Sequence, residues 1–214
     1  MTPESRHQCF IYDGAPSEQL PLLAAMIQRR LDEGYRCLYL NSLPMVAGMR
    51  SYLSAMGLDV EKEIAQARLI LSSDPVAAAD GSFDVGLMLN KLEDALDQAL
   101  SDGYKGLWAT GDMTWEFGSE KNLEKLMEYE LGLEALIRKR QALCGICQYH
   151  QGSLPREITR QGLLTHRTIF INETLSRINP HYLPSGLPPG RPLATHLELD
   201  ETITALCELQ KKKS

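Results

Sequence analysis

Glu130 and Glu134 stand where a helix would bury them. At 100° per residue, Leu123, Leu126, Met127, Glu130, Glu134 and Ile137 fall on one side, so two carboxylates interrupt an apolar stripe. A buried carboxylate finds a partner or accepts a raised pKa, which makes both candidate site residues. Arg138 and Arg140 lie close in sequence and leave a structural ion pair equally open. His7 and Cys9, two residues apart in an extended segment, share a face and can touch one ligand together. The plainer alternative is a packed thiol beside a hydrogen-bonded imidazole.

Cys144-x-x-Cys147-x-x-His150 has the residue types of a metal site but the wrong geometry. In a strand Cys144 and Cys147 point to opposite faces, and Cys144 lies ~20 Å from His150 at the rise of an extended chain. Ligands of one zinc ion must all lie within ~2.3 Å of it. The expectation is therefore buried thiols, no metal and no cofactor.

Other motifs exclude several chemistries. The turn Asp13-Gly14-Ala15-Pro16-Ser17-Glu18 follows the first strand, where a phosphate loop would need GxxxxGK[ST]; it has one glycine and no lysine, and its two carboxylates repel polyphosphate. GxGxxG, GxSxG and HExxH are absent from the chain. Asp112, in Gly111-Asp112-Met113-Thr114-Trp115, stands where RecA-like ATPases hold Mg²⁺, but it equally suits the cap of a turn. Trp115 lines a pocket or fills the core. The expectation is a protein that is not an enzyme.

These residues sit on alternating elements. Short β-rich runs at Cys9–Tyr12, Arg36–Asn41, Arg68–Ser72, Gly106–Thr110, Ala142–Tyr149 and Arg167–Ile171 read as strands. Runs such as CLYL and LCGIC are nearly continuous in apolar residues, as in strands buried on both faces. Helical spacing marks Ser17–Glu33, with Ser17 as N-cap and Gly34 as stop, then Val85–Leu100 and Glu120–Arg140. Strands alternating with helices imply an α/β fold with a mainly parallel sheet. Residues 1–178 are expected to form the domain, 179–197 a Pro/Gly-rich arm, and 198–214 a short C-terminal helix that docks or binds a partner.

The 214 residues carry a net charge of −6, which argues against general nucleic-acid binding. No run approaches the ~20 apolar residues of a membrane span. Five scattered cysteines, Cys9, Cys37, Cys144, Cys147 and Cys207, suit a reducing compartment, so the expected location is the cytoplasm.

The chain resembles the MEDS family of prokaryotic sensory domains from about His7 to Pro184. The likeness rests on the opening His7 and Tyr12, Gly34-Tyr35-Arg36-Cys37-Leu38-Tyr39, Gly103-Tyr104-Lys105-Gly106-Leu107, Gly111-Asp112-Met113-Thr114-Trp115 and Tyr129-Glu130. It continues through Leu143-Cys144, Cys147-Gln148-Tyr149, Leu164-Thr165-His166 and Asn179-Pro180-His181-Tyr182-Leu183-Pro184. It departs at Asp112, where the family favours glutamate, and at Arg167, where it favours proline. The resemblance implies a three-layer RecA/KaiC-like core without its phosphate loop, and a signalling role in sensing small hydrocarbon derivatives. It also implies output through a kinase or transcription regulator.

The leading expectation is a sensor with its pocket at the carboxyl ends of the central strands, lined by His7, Tyr12, Asp112, Trp115, Glu130, Tyr149 and His166. The alternatives are an interaction adaptor with an exposed apolar patch, or a degenerate nucleotide-binding protein that keeps RecA-like homo-oligomerisation.

Overall fold

Along each central strand the side chains alternate between two separate cores. The structure, a computed structural model, describes residues 6–74, 83–116, 123–183 and 194–211. Seven strands form one sheet in the order β3-β2-β4-β5-β1-β6-β7 among these residues. They are β1 (His7–Tyr12), β2 (Arg36–Leu40), β3 (Leu69–Ser72), β4 (Leu107–Asp112), β5 (Leu143–His150), β6 (Thr168–Asn172) and β7 (Leu175–Ile178). All pairings are parallel except β6 with β7, and β1 lies between β5 and β6.

The helices are α1 (Leu20–Asp32), α2 (Leu43–Ala55), α3 (Val60–Ala65), α4 (Val85–Ser101), α5 (Met113–Glu116), α6 (Leu123–Lys139), α7 (Arg156–Thr165) and α8 (His196–Lys211). Cys9, Ile11, Cys147, Tyr149, Ile169 and Ile171 pack on one sheet face against α4, α6, α7 and α8. Phe10, Tyr12, Tyr39, Trp108, Cys144 and Ile146 pack on the other face against α1, α2 and α3. The result is the expected α/β, three-layer architecture. Burial of both faces explains the apolar runs that marked the strands.

The expected opposition of Cys144 and Cys147 holds, since the two thiols lie in different cores. Gly34 and Gly103 adopt φ of +88° and +85° where α1 and α4 end, a conformation that favours glycine. Ser17 is not an N-cap. It lies inside a 3-10 turn, Pro16–Gln19, because Pro16 at the first position starts the turn one residue earlier.

Helices α2, α3, α5 and α7 and strand β7 go beyond the elements marked in the sequence. Pro44 in α2 reads as a breaker but sits in the first turn, where its missing N–H costs nothing. Strand β7 is exposed on both faces and so carries no buried pattern to detect.

Helix α8 opens with a reciprocal cap: Thr195 N–H donates to Glu198 Oε2 at 2.7 Å, and Glu198 N–H to Thr195 Oγ1 at 3.2 Å. Its Leu199, Ile203, Leu206 and Cys207 enter the same core as β1 and β6. Arg160 of α7 clamps it through Asp200, with Nε to Oδ1 at 2.8 Å and Nη2 to Oδ2 at 2.7 Å. Most of the arm, residues 184–193, lies outside the described residues.

Candidate functional site

Four elements bring His7, Glu130, Cys147, Tyr149 and His166 together beneath α6 and α7. His7 opens β1, and Cys147 and Tyr149 share its face from the neighbouring strand β5. Glu130 descends from the middle of α6, and His166 ends α7 just before β6. All five are buried, with Glu130 and His166 at 0% exposure.

Oε2 of Glu130 lies 3.5 Å from His7 Nε2 and 3.4 Å from His166 Nε2, and Cys147 Sγ lies 3.5 Å from His7 Nε2. The two imidazole rings stand 4.0 Å apart, centroid to centroid.

Outer contacts fix each group. His7 Nδ1 meets Glu134 Oε2 at 2.9 Å, and His166 Nδ1 meets the Gly162 carbonyl at 2.7 Å. Both partners only accept, so each Nδ1 donates its proton outward, and in the neutral ring the Nε2 atom turns a lone pair inward. The Tyr149 hydroxyl donates to Glu130 Oε1. Its ring lies against Gly162, where an added Cβ would come within 2.5 Å of Cζ. Glu134 is also held by Arg138 Nε at 2.8 Å and by the Tyr182 hydroxyl at 3.2 Å.

The electrostatics follow from this burial. Desolvation raises the Glu130 pKa, partly opposed by His7 and by hydrogen bonds from Tyr149 and Cys147. Desolvation also drives the His166 pKa well below its usual value, with His7 pushing the same way. Burial raises Glu134 too, but hydrogen bonds from His7 and Arg138 outweigh it and leave the carboxyl below its ordinary range. Cys9 is pushed up by burial and then by the nearby Glu130 charge.

The expected lining set divides by sheet face. His7, Glu130, Tyr149 and His166 come together, with His7 at the amino end of β1, His166 just before β6, and Tyr149 near the carboxyl end of β5. The reason is that α6 and the end of α7 deliver their polar groups over the start of β1.

Tyr12 and Asp112 lie on the opposite face at the carboxyl ends, where the Tyr12 hydroxyl donates to Asp112 Oδ2 at 3.2 Å. Asp112 Oδ1 also caps its own turn, accepting from the Thr114 N–H at 2.7 Å. Burial first, then the Asp112 charge, raises the Tyr12 pKa. The side chain of Trp115 lies outside the described residues.

His150 binds the Gly14 carbonyl through Nε2 at 2.8 Å and stacks on Tyr12 at 5.2 Å. Cys147 and Gly162 are the participants that sequence reasoning missed. Cys147 was paired with its neighbours in sequence, whereas its true partners lie on other elements.

A small cavity of about 30 Å³ adjoins the cluster between the sheet and α4 and α6. Ala109, Gly111 and Gly145 floor it, Leu92, Leu133 and Ile137 cover it, and His7 and Cys147 edge it. Small residues on the strands leave space that the helical leucines do not fill. That volume is about one water's share of liquid.

Residues 6–167 match the family model of the methanogen/methylotroph, DcmR sensory domain, MEDS. The chain belongs to the MEDS family. The matched span of this sensory domain family carries every member of the buried polar cluster. Its fold is similar to that of an uncharacterized protein, PH0321, from Pyrococcus horikoshii, solved in complex with an unknown peptide. That likeness has a TM-score of 0.54 at 14% identity and covers 80% of this chain and 81% of that one. No curated protein matches the chain. No helix among the described residues is long and apolar enough to cross a membrane.

Proposed function

We propose that this MEDS domain senses a small organic molecule and passes the signal to a partner protein without catalysing a reaction. The observation that carries the reading is the apolar cavity edged by His7 and Cys147 of the buried polar cluster. An apolar wall with a few fixed polar groups at one end, in a space this small, suits a one-carbon molecule with one polar or polarisable end.

The output runs through Glu134. It joins His7 to Tyr182 at the start of the arm, and His181 beside it meets Thr202 of α8 at 2.9 Å. A ligand that shifts His7 alters the hydrogen bonds that seat the arm and α8. It moves that equilibrium only as far as its affinities for the two states differ. The partner reading α8 is a kinase or transcription regulator, by analogy with the family.

A thermal-shift series with small alcohols, aldehydes, carboxylates and halocarbons tests this. A ligand at 100 times its dissociation constant stabilises by ~2.7 kcal/mol, which moves the melting temperature by several degrees. A shift with one class, abolished in Ala109→Val, supports the reading. No shift with any class, or one with Mg-ATP alone, sinks it.

A further inference from the structure

We propose that His7, Glu130, Cys147 and His166 bind one zinc ion in a buried, four-coordinate site. The proposal goes beyond the sensor reading and stands whether or not an organic molecule binds.

The first argument is a shortage of protons. With the rings neutral, as a metal ligand requires, both Nε2 atoms present lone pairs, because each Nδ1–H is directed to an acceptor. Glu130 Oε2 faces both, and neither Glu130 Oε2 nor His166 Nε2 has a hydrogen-bond partner. Electron-pair donors thus converge in a space sealed from water. Leaving such groups unpaired is costly, and a cation satisfies all of them at once.

The second argument is metric. Tetrahedral zinc holds nitrogen or oxygen at ~2.0–2.1 Å and thiolate sulfur at ~2.3 Å, so its ligand atoms stand about 3.3–3.6 Å from one another. The separations here are 3.4 Å for His166–Glu130, 3.5 Å for His7–Glu130 and 3.5 Å for Cys147–His7. The four donor atoms all lie within 4.8 Å of one another. Small displacements of the longer pairs complete a coordination shell.

The third argument is the outer shell. Glu134 orients His7, the Gly162 carbonyl orients His166, and the Tyr149 hydroxyl holds the other oxygen of Glu130. Metal sites require such partners, and three ligands here have them. Two imidazoles, one thiolate and one carboxylate suit a borderline ion of tetrahedral preference, which selects zinc over magnesium or calcium. On binding, the Cys147 thiol gives up its proton and so does Glu130 where it is neutral. Both protons pass to solvent, and affinity rises with pH.

The test is metal analysis of the full chain refolded with zinc and dialysed, together with the absorption spectrum of the cobalt(II)-loaded protein. The expected result is one equivalent of zinc and a cobalt spectrum with both tetrahedral d–d bands and a thiolate-to-cobalt charge-transfer band.

Cys147→Ser should abolish the charge-transfer band, and His166→Ala should lower retained zinc at least tenfold. Cys144→Ala and His150→Ala should change neither. Should His166→Ala fail to fold, the Cys147→Ser spectrum decides alone. Retention below a tenth of an equivalent in the parent overturns the proposal, and so does a charge-transfer band that survives Cys147→Ser.

Discussion

His166 Nε2 faces Glu130 Oε2 at 3.4 Å, both fully buried and neither hydrogen-bonded. Their burial gives the metal-free protein two opposed pH dependences. The depressed pKa of His166 makes stability fall as pH drops below ~6.5, because the unfolded imidazole takes up a proton that the folded one refuses. The raised pKa of Glu130 makes stability fall as pH rises above ~4.3, because the unfolded carboxyl ionises first. Glu130→Gln removes the second effect. Its melting temperature, followed from pH 6.5 to 4.5 in chelator, should fall more steeply than the parent's; an equal or shallower slope contradicts the assignment.

Tyr149→Phe removes the donor to Glu130 Oε1 and leaves a buried acceptor unsatisfied. The expected cost is about 1–3 kcal/mol, read from urea unfolding, and zinc affinity should weaken about 10- to 100-fold. A variant as stable as the parent would mean that the hydroxyl does not hold the carboxylate.

Gly162→Ala separates local from tertiary control. Alanine in a helix is worth about 1 kcal/mol over glycine. Here its Cβ would stand 2.5 Å from Tyr149 Cζ, and overpacking costs about 1–3 kcal/mol. Denaturant unfolding should show net destabilisation, whereas a stabilised variant would show that the ring moves aside freely.

Ile203 and Leu197 of α8 differ in kind, at 2% and 68% exposure. Ile203→Ala should cost about 2–5 kcal/mol, while Leu197→Ala should stay within about 0.5 kcal/mol. Equal effects in chemical denaturation would mean that α8 does not dock as described.

Tyr182→Phe cuts the link from Glu134 to the arm while sparing the four zinc-facing side chains. Zinc should slow amide exchange across residues 196–211 in the parent and do so less in the variant. Equal protection in both would remove Glu134 from the output path.

Much of the fold was legible because burial leaves a pattern. Strands packed on both faces show apolar runs, and α1, α4 and α6 show stripes that end near glycine or basic residues. The exposed strand β7 and the proline-started α2 carry no such signal, and so they escaped detection. Glu130 and Glu134 were visible as carboxylates on an apolar stripe, since helical spacing is a local property.

The chain alone therefore determined the α/β class, the absence of a lysine-bearing phosphate loop, and the place of two carboxylates on the apolar side of one helix, of which Glu130 is fully buried and Glu134 partly so. Only the tertiary structure decided that Cys147 answers to His7, Glu130 and His166 and not to Cys144 or His150. It also separated Tyr12 and Asp112 from the cluster. The physical reason is that spacing along one element fixes which residues share its face. Which faces meet depends on strand order and on the packing of helices over the sheet, and these join residues more than a hundred positions apart.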